Sequence, residues 1–296
     1  MSLRRSACHS GDQLITQAIG FERLSRLLNE VFGMTISEGA LVNLLRRAAE
    51  PLSGQADEYA EAVRQSQVVC SDETSARVCG QSWWQWVLLS TTALYHVIVD
   101  SRAGALINEV LGDARPEIWV ADRYGGQAGH GQQRQLCLAH LLRDAQYARE
   151  EGDTLFAPGF KRLLLRAVAI GRRRDRLQDT TLRQYHADLN RRLDLLLATP
   201  PDKPAAKKLW KAMCRDRDDL FRFVTRRDVP YTNNASERAL RPSVIFRQVT
   251  GGFRSVSGAK TAAASVIATG RLHGTSALQA LADALAKPLT PQNCPA

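Results

Sequence analysis

The chain has 296 residues, 44% hydrophobic and 24% charged, enough to bury a full core and ordinary for a globular protein. Its net charge of +10 is not ordinary and points to a polyanionic partner. No run of about 18 apolar residues occurs, so no membrane span is predicted, and the two arginines of Met1 to Ser10 lack the apolar stretch of a secretory signal.

Phe21, Leu24, Leu27, Leu28 and Val31 recur at helical spacing, and Gly33 breaks the pattern. Ser37 reads as the N-cap of a second helix through Leu41, Leu44, Leu45 and Ala48, and a third is expected over about 54–65. The first pair has the outline of a helix-turn-helix with Arg46 and Arg47 on its second member, although two packed helices with solvated arginines are the preferred reading.

From Gln67 the period drops to two. Strands are predicted at 68–70, 84–89 and 95–99, then a helix near 103–111 and a fourth strand at 117–121. This pattern is α/β with a sheet of mixed direction. Trp84 and Trp86 fall on one strand face and read as core, and His96 as a structural histidine. The six cysteines, Cys8, Cys70, Cys79, Cys137, Cys214 and Cys294, contain no CxxC pair and read as reduced thiols in cytoplasm or nucleoid.

The run Val68-Val69-Cys70 ends in Asp72 and Glu73, as a buried strand delivers a carboxylate to a sheet rim. Glu117 to Asp122 repeats the arrangement. The Gly-rich turn at 124–131 lacks the GxxxxGK[ST] pattern and is no nucleotide loop. In the strand-to-helix segment Gln135 to Asp144, His140 and Arg143 share one helical face. Helices are then expected around 160–170, 177–197 and 205–224, separated by Pro158-Gly159 and Pro200-Pro201. Residues 161–227 hold 19 Lys and Arg against 8 Asp and Glu, a net of +11, so the rest of the chain sums to about −1. Concentrated basic charge of this kind suits a phosphate backbone.

Glu237 supplies a third carboxylate at a helix start, where Asn234 and Glu237 also have capping-box spacing. Beyond it lie a basic Gly-containing loop near 247–255, helices near 258–270 and 275–287, and a frayed end from Pro288. Three scattered carboxylates in a basic chain suggest a divalent-metal site acting on phosphate.

Three stretches, in order, carry a resemblance. They are Ser71-Asp72-Glu73-Thr74 with the Trp83 to Val87 cluster, Gln135 to Asp144, and Thr232 to Arg241 continuing through Gly258-Ala259-Lys260. Together they resemble the insertion sequence 66 family of bacterial transposases, from about Gly20 to Ala286.

The resemblance implies an N-terminal helical region over 1–65 and a ribonuclease-H-like catalytic domain over 66–296. That domain would be a mixed sheet flanked by helices, with a basic helical subdomain inserted at about 145–230. By motif, Asp72, Asp122 and Glu237 become the catalytic acids and the ligands of two Mg²⁺ (or Mn²⁺) ions, with Glu73 a second choice. The implied partner is DNA, both insertion-sequence ends and target, and the implied reaction is strand cleavage and transfer by a homo-oligomer. His140 and Arg143 are candidates for the scissile phosphate. Arg172, Arg173, Arg174, Arg226 and Arg227 are candidate DNA contacts of the basic segment. Asn233, Asn234, Arg238 and Arg241 are candidates around the third acid, and Arg254 and Lys260 beyond it. Family members are commonly longer, with a cysteine-rich zinc module that Met1 to Ala18 does not resemble, and Arg123 stands where a Gly is expected. A catalytically silent DNA-binding remnant and a ribonuclease-H-like nuclease are the competing readings.

Overall fold

The computed structural model describes residues 19–253 and 258–287. Cys8, His9, Arg254, Cys294 and the frayed end from Pro288 lie outside the described residues, as does the stretch read for a signal; of Lys260 the backbone alone is described. The architecture is α/β, with eleven α-helices and five strands of mixed direction among the described residues. They form two compact units, one of residues up to Ala114 together with those from Ala235 onward, the other Arg115–Asn234.

In the first unit, helix α1 (Phe21–Phe32) stops at Gly33, whose φ of 63° gives a left-handed cap. Ser37 opens α2 (Glu38–Arg64) by accepting a hydrogen bond from the Ala40 amide at 3.2 Å. Leu24, Leu28 and Leu41 form the small core between these helices, and Arg46 and Arg47 face solvent. Where the sequence predicts two helices, the structure has one of 27 residues that runs through Pro51. Its buried stripe of Ala48, Leu52, Ala56, Ala60 and Val63 explains the difference. Ala48, Leu52 and Ala56 share a core with Val266, Ile267 and Leu281 of the C-terminal helices Gly258–Leu272 and Ala277–Ala286. Packing along that stripe outweighs the roughly 3 kcal/mol cost of an internal proline.

Strands β1 (Val68–Val78), β2 (Gln81–Leu89) and β3 (Leu94–Val99) form an antiparallel meander. The β1–β2 turn is Cys79–Gly80, with φ of 50° and 78°, and two positive values are what a tight primed hairpin requires. The sequence places the end of β1 at its acids. Instead the ladder continues unbroken from Cys70 opposite Leu89 to Val78 opposite Gln81. Trp86 is fully buried, as its strand register predicts.

The far edge of β3 is closed by a helix rather than a strand. Ser265 Oγ accepts from the His96 amide at 2.9 Å, and Thr269 Oγ1 accepts from the Leu94 amide at 3.0 Å. Thr269 also donates to the Leu94 carbonyl at 3.1 Å. Hydroxyls thereby occupy backbone groups that would otherwise invite strand pairing.

His96 is the buried structural histidine expected, with Nδ1 at 3.1 Å from Gln85 Nε2, and burial pushes its pKa down to about 4. An unfolded chain protonates this ring near pH 6.5, whereas the fold resists until about pH 4. Stability therefore falls as pH drops from about 6.5 to 4, by about 3 kcal/mol, and is flat with respect to this group above that window. Urea titrations across it should show this slope, and His96→Gln should lack it; an identical slope in the variant would assign the effect to other groups.

The unit also holds α3 (Ala105–Leu111) and most of the helix Asn234–Thr250. After that helix, Phe253 pairs with β1: its amide donates to the Arg77 carbonyl at 2.6 Å and its carbonyl accepts from the Cys79 amide at 2.8 Å. Gly252, at φ 119°, makes this approach, since a Cβ there would lie 2.7 Å from the Arg77 oxygen.

In the second unit, β4 (Ile118–Ala121) and β5 (Gln133–Leu136) run parallel and lead into α4 (Leu138–Glu150). The basic segment folds as α5 (Phe156–Arg173), α6 (Asp179–Leu197), α7 (Pro204–Arg215) and the short α8 (Arg222–Thr225). Pro158 and Gly159, read as a separator, sit inside the start of α5. Asp153 accepts from the Leu155 and Ala157 amides ahead of them, and Gly159 leaves room for Leu196, 2.8 Å from where a Cβ would stand. Buried Gln135 ties β5 to this region, donating to the Leu220 carbonyl at 2.9 Å and accepting from the Phe223 amide at 3.2 Å. The Gly-rich turn folds over Trp119, which donates to Gln127 Oε1, while His130 lies 2.9 Å from the Gly126 carbonyl.

Candidate active site

The first acid lies in mid-strand. Side chains alternate along β1, so Asp72 and Glu73 face opposite sides of it. The Glu73 carboxylate is 2% exposed and receives the Arg102 guanidinium through Nη2 at 2.7 Å and Nε at 3.1 Å. Arg102 in turn lies 4.5 Å above the Trp84 ring. This arrangement gives Glu73 a structural occupation. Asp72 is half-buried, and its Oδ1 accepts from the Glu73 amide at 3.0 Å.

The second acid follows the pattern read from the sequence. All four residues of β4 are buried, and Asp122 is the first residue beyond them. Its Oδ1 accepts from the Tyr124 amide at 2.9 Å, an Asx-turn that orients the carboxylate while the other oxygen stays out of that bond. Arg123 forms an ion pair with Asp144 of α4.

Cys137 gathers three parts of the second unit. Its amide donates to the Ala121 carbonyl at 2.9 Å, at the residue before Asp122. Its Sγ accepts from the Asn233 amide at 3.1 Å, and the next amide, Leu138, donates to the Tyr231 carbonyl at 2.9 Å. The strap Tyr231–Asn233 is therefore fastened to the strand ends beside Asp122. Cys137 belongs to one of the stretches read from the sequence, but nothing in its spacing marks it as this junction.

The helix Asn234–Thr250 (α9) starts directly after the strap. Glu237 is its fourth residue and half-buried, one place later than a capping box with Asn234 as cap would put it. Asn233 is buried, whereas Asn234, Arg238 and Arg241 are exposed. On α4, His140 is half-buried and Arg143 exposed, with Arg143 Nε 3.4 Å from the Ala139 carbonyl.

The basic candidates separate into two kinds. Arg174 is only 11% exposed, and its guanidinium donates to the Phe223 carbonyl at 2.6 Å, the Val229 carbonyl at 2.7 Å and the carbonyls of Arg226 and Arg227. Arg226 pairs with Glu117 and Asp228, and Arg227 with Asp179. Arg172 and Arg173 are exposed, and among the described residues neither pairs with a carboxylate; Arg173 lies 5.6 Å above the Tyr185 ring.

The candidate acids offer hard oxygen donors, which fit Mg²⁺ or Mn²⁺. Among the described residues no three His, Cys, Asp or Glu side chains are already gathered as a metal cluster. No described helix is long and apolar enough to cross a membrane.

Compared with known proteins, the chain finds no match among the curated ones. The model of the transposase IS66 family matches residues 13–261, the greater part of the chain and all three acid-bearing stretches. The chain belongs to the IS66 family of transposases.

Proposed function

We propose that the chain is a DNA transposase with a ribonuclease-H-like core, which cuts and joins DNA strands at Asp72, Asp122 and Glu237 with two Mg²⁺ or Mn²⁺ ions. The observation that carries this reading is the family match over all three acid-bearing stretches, beside the junction at Cys137 that fastens the strap Tyr231–Asn233 to the strand ends next to Asp122. A strand end, an Asx-turn and a helix start are rigid supports, as a site needs when it must hold charge in fixed positions.

The ions would supply positive charge against the attacked phosphate and lower the pKa of the attacking hydroxyl or water. The chain's own contribution is orientation. Asp122 keeps its turn through Tyr124, and Asp72 is held along β1 by the Glu73 amide. Glu73, bound to Arg102, stays outside the reaction. His140 and Arg143 face the phosphate undergoing attack, and the helices of about 145–230 form a DNA-contacting insertion between the second and third acids. Paired DNA ends call for two copies, so the working form is a homo-oligomer.

The test is incubation of supercoiled plasmid, with and without a donor fragment carrying the element's ends, in Mg²⁺ or Mn²⁺. Nicking that EDTA abolishes, with joined donor–target products, is the expected result. Nicking without joining would favour a ribonuclease-H-like nuclease. DNA binding without nicking would mark a catalytically silent DNA-binding protein.

A further inference from the structure

Helix α7 carries Lys203 at its N-cap and Lys207, Lys208 and Lys211 along its length. All four are exposed, and among the described residues none takes part in an ion pair. The opposite face, Ala206, Leu209, Ala212 and Met213, is buried, and Trp210 is held by its indole N–H on the Leu197 carbonyl at 3.0 Å. This packing fixes the lysine face outward. Lys207 and Lys211 stand about one turn and 6 Å apart along the helix, with Lys203 at the N-cap end. Lys208 lies beside them, three residues before Lys211.

Local rules disfavour this arrangement twice. Like charges four residues apart repel, and cations at a helix N-terminus oppose the macrodipole. The neighbouring helix solves the same problem differently. There Asp188 draws in Arg166, Arg191 and Arg192, and hydrogen bonds from Arg191 and Arg192 hold its carboxyl down to about 2. Arg226 and Arg227 are similarly neutralised, and Arg174 is spent on backbone carbonyls. The helix α7 contains no acid at all, and Asp202, adjacent in sequence, pairs with none of the lysines among the described residues. A local conflict left uncompensated in a segment that neutralises several of its other cations is a sign of an external partner.

We infer that the lysine face of α7 is a contact surface for the phosphate backbone of duplex DNA. The inference rests on the transposase reading, and it moves the main electrostatic contact of the basic segment from Arg174, Arg226 and Arg227 to these lysines. Point charges on flexible stems suit sequence-independent phosphate contact, giving affinity without base readout.

The test measures duplex DNA binding by the full chain over a salt series, for wild type, for Lys207→Gln/Lys208→Gln/Lys211→Gln and for the same three positions changed to Arg. Lys203 is left in place because its stem lies against Gly152. Glutamine keeps the helix propensity, so folding is preserved and circular dichroism checks it. The Gln variant should lower the slope of log K against log salt by about 2 to 3, close to 0.9 per lost contact, and the Arg variant should keep the wild-type slope. A Gln variant with the wild-type slope would overturn the α7 assignment and leave the transposase reading standing. A wild-type chain that binds no DNA would overturn both.

Discussion

Asp122→Asn should abolish metal-dependent DNA cleavage, by about a thousandfold or more, while leaving the melting temperature close to wild type. The asymmetry comes from the two tasks of this side chain. Its Oδ1 accepts the Tyr124 amide, and an asparagine oxygen does the same, so the turn after β4 survives the change. What disappears is the negative charge, which a hard cation requires and a neutral amide supplies poorly. Plasmid nicking and thermal denaturation on the same preparation separate the two effects. Retained nicking would remove Asp122 from the site, and a large loss of stability would show that the carboxylate is needed for folding.

Arg174→Ala has its large effect on stability instead, an expected loss of about 3 kcal/mol. The guanidinium fork closes the end of α5 onto the carbonyls of Phe223, Arg226, Arg227 and Val229, and so fixes the stretch leading to the Tyr231–Asn233 strap. Alanine leaves those carbonyls without their charged donor. Lysine should recover only part of the loss, because an ammonium cannot span the same fork. Denaturant unfolding of the three proteins is the measurement. A variant that unfolds like wild type but shows a flattened salt dependence of DNA binding would restore Arg174 as a phosphate contact, the role its Arg-Arg-Arg context suggests.

That contrast shows where the sequence is a poor guide. Arg172 to Arg174 look alike in a row, yet they differ in what the fold brings against them. Arg226 finds Asp228 two residues on, but its other partner Glu117, and the partner of Arg227, Asp179, are 109 and 48 residues away along the chain. Net charge by segment is legible in sequence, but neutralisation across a fold is not. The end of β1 differs from the sequence expectation for a related reason. The polar run Ser71 to Ser75 resembles a strand end by composition, but backbone pairing with β2 does not depend on side-chain polarity, and an ion pair between Glu73 and Arg102 absorbs the inward charge. Pro51 likewise looks like a helix break until the apolar stripe on either side of it is packed. By contrast, the apolar run and burial of β4, the cap at Ser37 and the cap at Gly33 are local effects, and each stands where local reasoning places it. The position of Asp122 just beyond a buried strand is legible for the same reason, since an apolar run that ends in an acid is a local pattern as well.

On the proposed mechanism, Asp72, Asp122 and Glu237 bind the same metal ions. The most direct test replaces Mg²⁺ by Fe²⁺ and generates hydroxyl radicals with ascorbate, so that the backbone is cut beside bound iron. Three clusters of cuts are expected, near residues 72, 122 and 237, all suppressed by excess Mg²⁺ and all weakened in Asp122→Asn. Cuts near only one of these positions, or cuts elsewhere that Mg²⁺ suppresses, would contradict that mechanism.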